Sequence, residues 1–243
     1  MKANWLDFVD ARRRSNLLEI LVELSRLQRK KNVDFVVIGA LPLLIHGYLQ
    51  YTALWDIDLL FRNEEEMKQF ASRSKSKMLR IVDYDAALMV SENITSFHSA
   101  WTFDKNWFNV DYILQTELFE FYANDITCSA PFNCIMEWNG TDHEISLYMA
   151  HPWDIFVNKI ISPRTERDVS LRVDMSIDIR HIFAVYRLEK NNNTFWQHAT
   201  ARAQFFCPTP VFKKKSLDLL MKAHELGYDD IKVSSAARRA LEV

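Results

Sequence analysis

Glycine is scarce in this chain, with four among 243 residues, and proline is nearly as rare at six. Each of Gly39, Gly47, Gly140 and Gly227 is therefore more informative than usual. Cysteine is equally sparse. Cys128, Cys134 and Cys207 stand at no metal-ligand spacing, and an odd number cannot pair completely, which points to free thiols in a reducing compartment. A surplus of positive charge is also missing. The formal net charge is −2, which excludes a globally basic nucleic-acid footprint. The run Lys213-Lys214-Lys215 reads as a solvated helix start. No stretch approaches the roughly 18–20 apolar residues of a membrane span. The first residues, MKANWLDFVDARRR, mix charges and carry no apolar run, unlike a secretory leader. A soluble, cytoplasmic protein without a membrane partner is expected.

What is present suffices for a packed core: 49% hydrophobic and 26% charged residues. Apolar residues at three-and-four spacing from Asn16 to Lys30 predict a helix with a basic last turn. Asp34 to Ile38 is a β-rich run ending at Gly39, followed by a short apolar helix from Leu41 to Ile45 that closes at His46-Gly47. Asp56 to Phe61 predicts a strand, and Glu64 to Ser74 a helix. Strands are expected at 79–84, 88–90, 96–103, 107–114, 126–130, 132–137 and 143–148, with Asn139-Gly140 as a turn. From Trp153 the pattern changes to helices at about 153–162, 168–189, 192–206, 211–226 and 229–241. The expected fold is a mixed α/β (α+β) sheet with flanking helices in residues 1–150, then an all-helical domain in 151–243.

The segment Val36 to Phe61 concentrates the chemistry. Residues two apart on a strand share a face, ~6–7 Å apart. Asp56 and Asp58 therefore point together, with Ile57 and Leu59 toward the core. Paired carboxylates repel, and a divalent cation relieves that cost. Magnesium suits one or two carboxylates plus phosphate oxygens. Gly39 allows a sharp strand-to-helix turn, and the N–H groups at Gly39-Ala40 would suit a phosphate. A third carboxylate is expected on a neighbouring strand, and Asp111, the one acid in the apolar run 107–113, is the candidate. Two ions ~3.5–4 Å apart would serve phosphoryl transfer, with manganese as a substitute. Asp111 would then act as base or orient the attacking oxygen. Trp55, beside the pair, could stack on a base. The remaining tryptophans are expected in the packing, and His46 as a helix cap.

At these residues the sequence resembles the nucleotidyltransferase superfamily, particularly the bacterial branch containing the AbiEii-type toxins. That group has a strand ending in Gly-Gly or Gly-Ser, a short helix often ending in His-Gly, then Arg-x-Thr and a strand with Asp-x-Asp. Gly39-Ala40, His46-Gly47, Thr52 and Asp56-Ile57-Asp58 fall in that order. Lys159, followed by Asp178-Ile179-Arg180 on the next helix, is similar to a later feature of the group. The resemblance implies a fold of the nucleotidyltransferase type and transfer of a nucleoside monophosphate from an NTP, ATP among them. The acceptor hydroxyl would belong to tRNA, a protein or a small molecule. It implies Asp56, Asp58 and Asp111 as metal ligands and catalytic residues. Gly39, Ala40, Lys159 and Arg164 or Arg167 would bind substrate, and a cognate antitoxin is an implied partner. Lys159 is alternatively a snorkelling surface lysine, and Asp178 either orients it or belongs to an ion-pair network. Arg167-Asp168 and Asp174 both compete for the third motif.

Ala40 replaces the usual hydroxyl or glycine, Gln50 stands where arginine is common, and Ala53-Leu54-Trp55 adds two residues before the aspartates. These departures favour a second possibility, a catalytically degenerate binding or regulatory module of a toxin–antitoxin system. A metal-dependent nuclease could use the same carboxylates, but it has no need of a phosphate cradle upstream of them.

Overall fold

The computed structural model describes residues 4–28, 33–50, 56–73, 78–85, 95–103, 106–123, 131–138, 140–173 and 176–242. The expected strands at 88–90 and 126–130 lie outside these residues, as do Thr52, Trp55, Cys128, Asn139 and Asp174. The chain divides into two compact units, Met1–His151 and Pro152–Val243.

In the first unit, Asp10 accepts a hydrogen bond from Arg12 N–H (2.8 Å) and starts helix α1 (Ala11–Leu27). Its leucines at 17, 18, 21, 24 and 27, with Ile20, are buried. Strand β1 (Val36–Ile38) leads through Gly39 into α2 (Ala40–Ile45). Then come β2 (Asp56–Phe61), α3 (Glu64–Arg73), β3 (Met78–Asp85), β4 (Thr95–Phe103) and β5 (Asn106–Leu114). A five-stranded sheet results, in the order β1-β2-β5-β4-β3. The β2–β5 pair is parallel; β1–β2, β5–β4 and β4–β3 are antiparallel. Helix α4 (Thr116–Ala123) follows, then a hairpin of β6 (Phe132–Trp138) and β7 (Thr141–Leu147). Helix α1 packs against β7, where Ser146 N–H donates to Ser25 Oγ (2.8 Å). Just after β7, Val37 N–H donates to Tyr148 O and Ala150 N–H to Val37 O, both at 2.9 Å, covering the outer edge of β1.

One face of the sheet is an aromatic core. Phe61 and Phe70 lie 5.3 Å apart between ring centres, Phe70 and Tyr112 5.8 Å, and Phe35 and Phe70 5.1 Å. Phe70 comes from α3 and the others from the sheet or its margin, so this cluster fixes α3 on the face carrying Ile57, Leu59 and Val110. Tyr112 OH accepts from the buried Trp101 Nε1 at 3.3 Å.

Every described element of the second unit is helical: α5 (Pro152–Ile161), α6 (Pro163–Ser170), α7 (Ile177–Glu189), α8 (Asn193–Ala203), α9 (Thr209–Met221) and α10 (Ser235–Leu241), with a short 3-10 turn at His224–Leu226. The expected single helix over 168–189 is corrected to two. Ser162 caps α6 ahead of Pro163. Its far end closes as a Schellman turn, with Arg172 N–H on Val169 O (3.3 Å) and Val173 N–H on Asp168 O (2.9 Å). Arg172, at φ 49°, takes the left-handed position that glycine usually fills. The buried Asp168 carboxylate accepts the Ser176 hydroxyl (2.7 Å) and so ties α6 to the start of α7. The helices expected at 192–206, 211–226 and 229–241 are shorter than the periodicity suggests. Among the described residues, no helix is long and apolar enough to cross a membrane.

Candidate metal centre

Sheet register assembles the candidate site. Asp56 and Asp58 leave β2 on one face while Ile57 and Leu59, fully buried, leave on the other. In the antiparallel β1–β2 pair Ile38 stands opposite Asp58, so the next residue, Gly39, meets the aspartate where the chain turns into α2. In the parallel β2–β5 pair Asp58 stands opposite Asp111, and Asp56 opposite Asn109. Asp111 is the more enclosed, 8% exposed, and the other two are half-buried. One carboxylate oxygen from each of Asp56, Asp58 and Asp111 lies within 4.8 Å of the others.

Three hard, anionic oxygen donors at that spacing suit a magnesium or manganese ion better than a softer metal, which prefers nitrogen or sulfur. Cys134 and Cys207, both free and half-buried, take no part in the cluster. Asp56 and Asp58 share a face as their spacing suggested, and Asp111, expected from its chemistry as a lone acid in an apolar strand, joins them. Asn109 was not anticipated. It is exposed and shares the aspartates' face by register; its one sequence signal is its place two residues before Asp111.

Gly39 has φ 76° and ψ −138°, a backbone state that residues with side chains rarely adopt and only under strain. Ala40 is the first residue of α2, which receives no side-chain cap. Gly47 closes that helix, with His46 as its C-cap residue. The His46 ring packs against Phe132 at 5.8 Å between centres, and burial holds its pKa below the usual histidine value.

Lys159 and Arg167 belong to the helical unit, where each has a carboxylate partner. Lys159, on α5, forms an ion pair with Asp178 on α7, and the two side chains are only 15% and 9% exposed. A snorkelling surface lysine is therefore excluded. Arg164 approaches the same carboxylate at 3.6 Å. Burial works to raise the Asp178 pKa, but the charge and hydrogen bond of Lys159, with the charge of Arg164, outweigh it and hold the carboxyl below its ordinary value. His181, one turn along α7, is pushed down to about 3, first by burial and then by the Lys159 charge. Its Nδ1 is buried without a hydrogen-bond partner among the described residues. Arg167 lies 3.2 Å from Asp168, the carboxylate that anchors the α6–α7 turn.

No family model matches the sequence, and no curated protein matches it significantly. Among solved structures, the chain is similar to JHP933 from Helicobacter pylori, at 10% identity and a TM-score of 0.42, over 96% of this chain and 89% of that one. It is also similar to an antigenic nucleotidyltransferase-like protein from Paracoccidioides brasiliensis, at 14% identity and a TM-score of 0.44, over 94% and 97% of the two chains. At such identities and TM-scores these are likenesses only, and the chemistry of the site rests on its own residues.

Proposed function

We propose that the chain is a magnesium-dependent nucleotidyltransferase, moving a nucleoside monophosphate from an NTP to an acceptor hydroxyl with loss of pyrophosphate. The observation that carries this is the meeting of Asp56, Asp58 and Asp111 within 4.8 Å beside the Gly39 turn. Asp56, Asp58 and Asp111 would hold one or two magnesium ions, which neutralise phosphate charge and lower the pKa of an attacking hydroxyl. The acceptor oxygen attacks the α-phosphorus, the bond from that phosphorus to the pyrophosphate oxygen breaks, and Asp111 receives or orients the hydroxyl proton. Most of the catalysis is positioning and charge compensation, work a rigid sheet register performs well. The Gly39-Ala40 backbone, Lys159 and Arg167 are proposed as phosphate contacts.

The sequence order of the motifs supports membership of the branch containing the AbiEii-type toxins, with a cognate antitoxin as partner and tRNA, a protein or a small molecule as acceptor. Ala40 and Gln50 favour the second reading, a degenerate module that binds nucleotide without turnover. Pyrophosphate release from each of the four NTPs, with magnesium and with bulk tRNA or cell protein as acceptor, tests the enzyme reading. Activity with one NTP that vanishes in Asp58→Asn supports it. Cleavage of labelled RNA without any NTP points instead to a nuclease, and metal-dependent nucleotide binding without turnover to the degenerate module.

A further inference from the structure

Gly39 meets two separate demands. The first is its backbone state, which alone would call for glycine. The second is space. A Cβ built on Gly39 would stand 1.9 Å from Asp58 Oδ2, 3.0 Å from its Cγ and 3.4 Å from its Cβ. Ordinary non-bonded carbon contacts lie at about 3.5–4.0 Å, so the carboxylate occupies the volume a side chain at 39 would need. At Gly47, Gly140 and Gly227, also at positive φ, nothing lies within 4 Å of such an atom. Among the four glycines, only Gly39 carries both constraints.

Resting on the cation-site reading above, we propose that Gly39 is a positioning residue for the cation centre: its missing side chain makes room for the Asp58 carboxylate beside Asp56 and Asp111. Register fixes the Asp58 backbone opposite Ile38, but the side-chain rotamer decides where its oxygens stand. An alanine at 39 is relieved most cheaply by swinging that carboxylate away, because the atom in closest contact is the far end of a flexible side chain and not backbone. The swing withdraws one of three ligands. Its damage therefore falls on cation affinity, whereas the backbone strain falls on folding. A purely conformational glycine, or one serving only to bring backbone near a phosphate, would leave the cation ligands in place.

The test is Mn2+ titration followed by electron paramagnetic resonance on wild type, Gly39→Ala, Asp58→Ala and the double variant, all free of nucleotide. Gly39→Ala is expected to bind Mn2+ at least about tenfold more weakly, the loss typical when support for a metal ligand is removed. The double variant should bind no more weakly than Asp58→Ala, because the carboxylate displaced by alanine is already gone. Wild-type affinity in Gly39→Ala alongside a weakened Asp58→Ala overturns the inference. So does an equal further loss in the double variant. If wild type takes up no Mn2+, or Asp58→Ala binds it as well as wild type, the cation-site reading itself fails and the inference falls with it. Should Gly39→Ala not fold, thermal unfolding of the double variant decides: a folded double variant supports crowding by the carboxylate, and an unfolded one assigns the defect to the backbone and overturns the inference.

Discussion

Asp58 and Asp111 are direct register partners across the parallel β2–β5 pair, which sets two carboxylates side by side with a third, Asp56, on the same face. Two unit charges about 5 Å apart repel by about 1 kcal/mol in water and about 3 kcal/mol at an effective dielectric of 20. Without a cation, Asp111→Asn should therefore raise stability by about 1 kcal/mol, a rise in Tm of about 2–4 °C for a chain of this size. The same variant should lose stabilisation by Mg2+. Thermal unfolding in chelator and in magnesium measures both, and a lower Tm in chelator would show that the carboxylates do not repel on balance.

Lys159→Met separates a phosphate contact from a structural ion pair. Loss of a phosphate contact weakens NTP binding by about tenfold, some 1.4 kcal/mol, and leaves nucleotide-free Mn2+ affinity unchanged. Calorimetric titration with NTP and with Mn2+ reads the two effects. An unaltered NTP affinity in a less stable protein would confine Lys159 to its pairing with Asp178.

His181 makes stability depend on pH. Its folded pKa is about 3 against an ordinary 6.5, so below pH 6.5 the unfolded chain takes up a proton that the folded one refuses. The stability present above pH 6.5 is lost as pH falls toward 3, by about 1.4 kcal/mol per pH unit once the unfolded imidazole is charged. His46, also held down by burial, adds to the wild-type slope in the same direction. Asp178 acts in the same sense only below its ordinary value of 3.8. Denaturant unfolding of His181→Gln between pH 4.5 and 6.5 should accordingly show a shallower slope than wild type, and an unchanged slope would contradict the assignment.

Asp154 should be the most costly carboxylate to remove from the helical unit. It is fully buried on α5 and receives His198 Nε2 (2.7 Å) and Arg202 Nε (3.1 Å), which lie one turn apart on α8. Asp154→Ala leaves a mostly buried arginine without this partner and is expected to cost about 3 kcal/mol. Asp154→Ala/Arg202→Met should recover part of that. A single-variant loss below about 1 kcal/mol in chemical denaturation would contradict a structural role for the network.

The local part of the site was legible because a strand's period of two is written directly in Asp56-Ile57-Asp58, and a lone glycine after an apolar run marks the turn at Gly39. Asp111 was reached only by its chemistry, as an acid in an apolar strand. Its register against Asp58 depends on a crossover of some fifty residues and is set by packing, including the Phe61–Phe70–Tyr112 cluster. Helix α4 was hidden because Leu118, Phe119, Phe121 and Tyr122 are as suited to a buried strand as to a buried helix face. The break between α6 and α7 was hidden because Arg172, not glycine, takes the left-handed position, and the Ser176–Asp168 bond that secures it spans eight residues. The room that Gly39 leaves for Asp58 is a contact between the turn after β1 and strand β2, and only the fold brings it into view.

The most direct measurement is thermal unfolding of wild type and Asp56→Asn/Asp58→Asn with magnesium and each of the four NTPs in turn. A ligand at about 100 times its Kd stabilises the native state by about 2.7 kcal/mol, well above the resolution of the method. One NTP should raise the Tm of wild type only when magnesium is present, and the double variant should not respond. If no NTP shifts wild type, or if the variant responds equally, the three aspartates do not form a nucleotide-directed cation site.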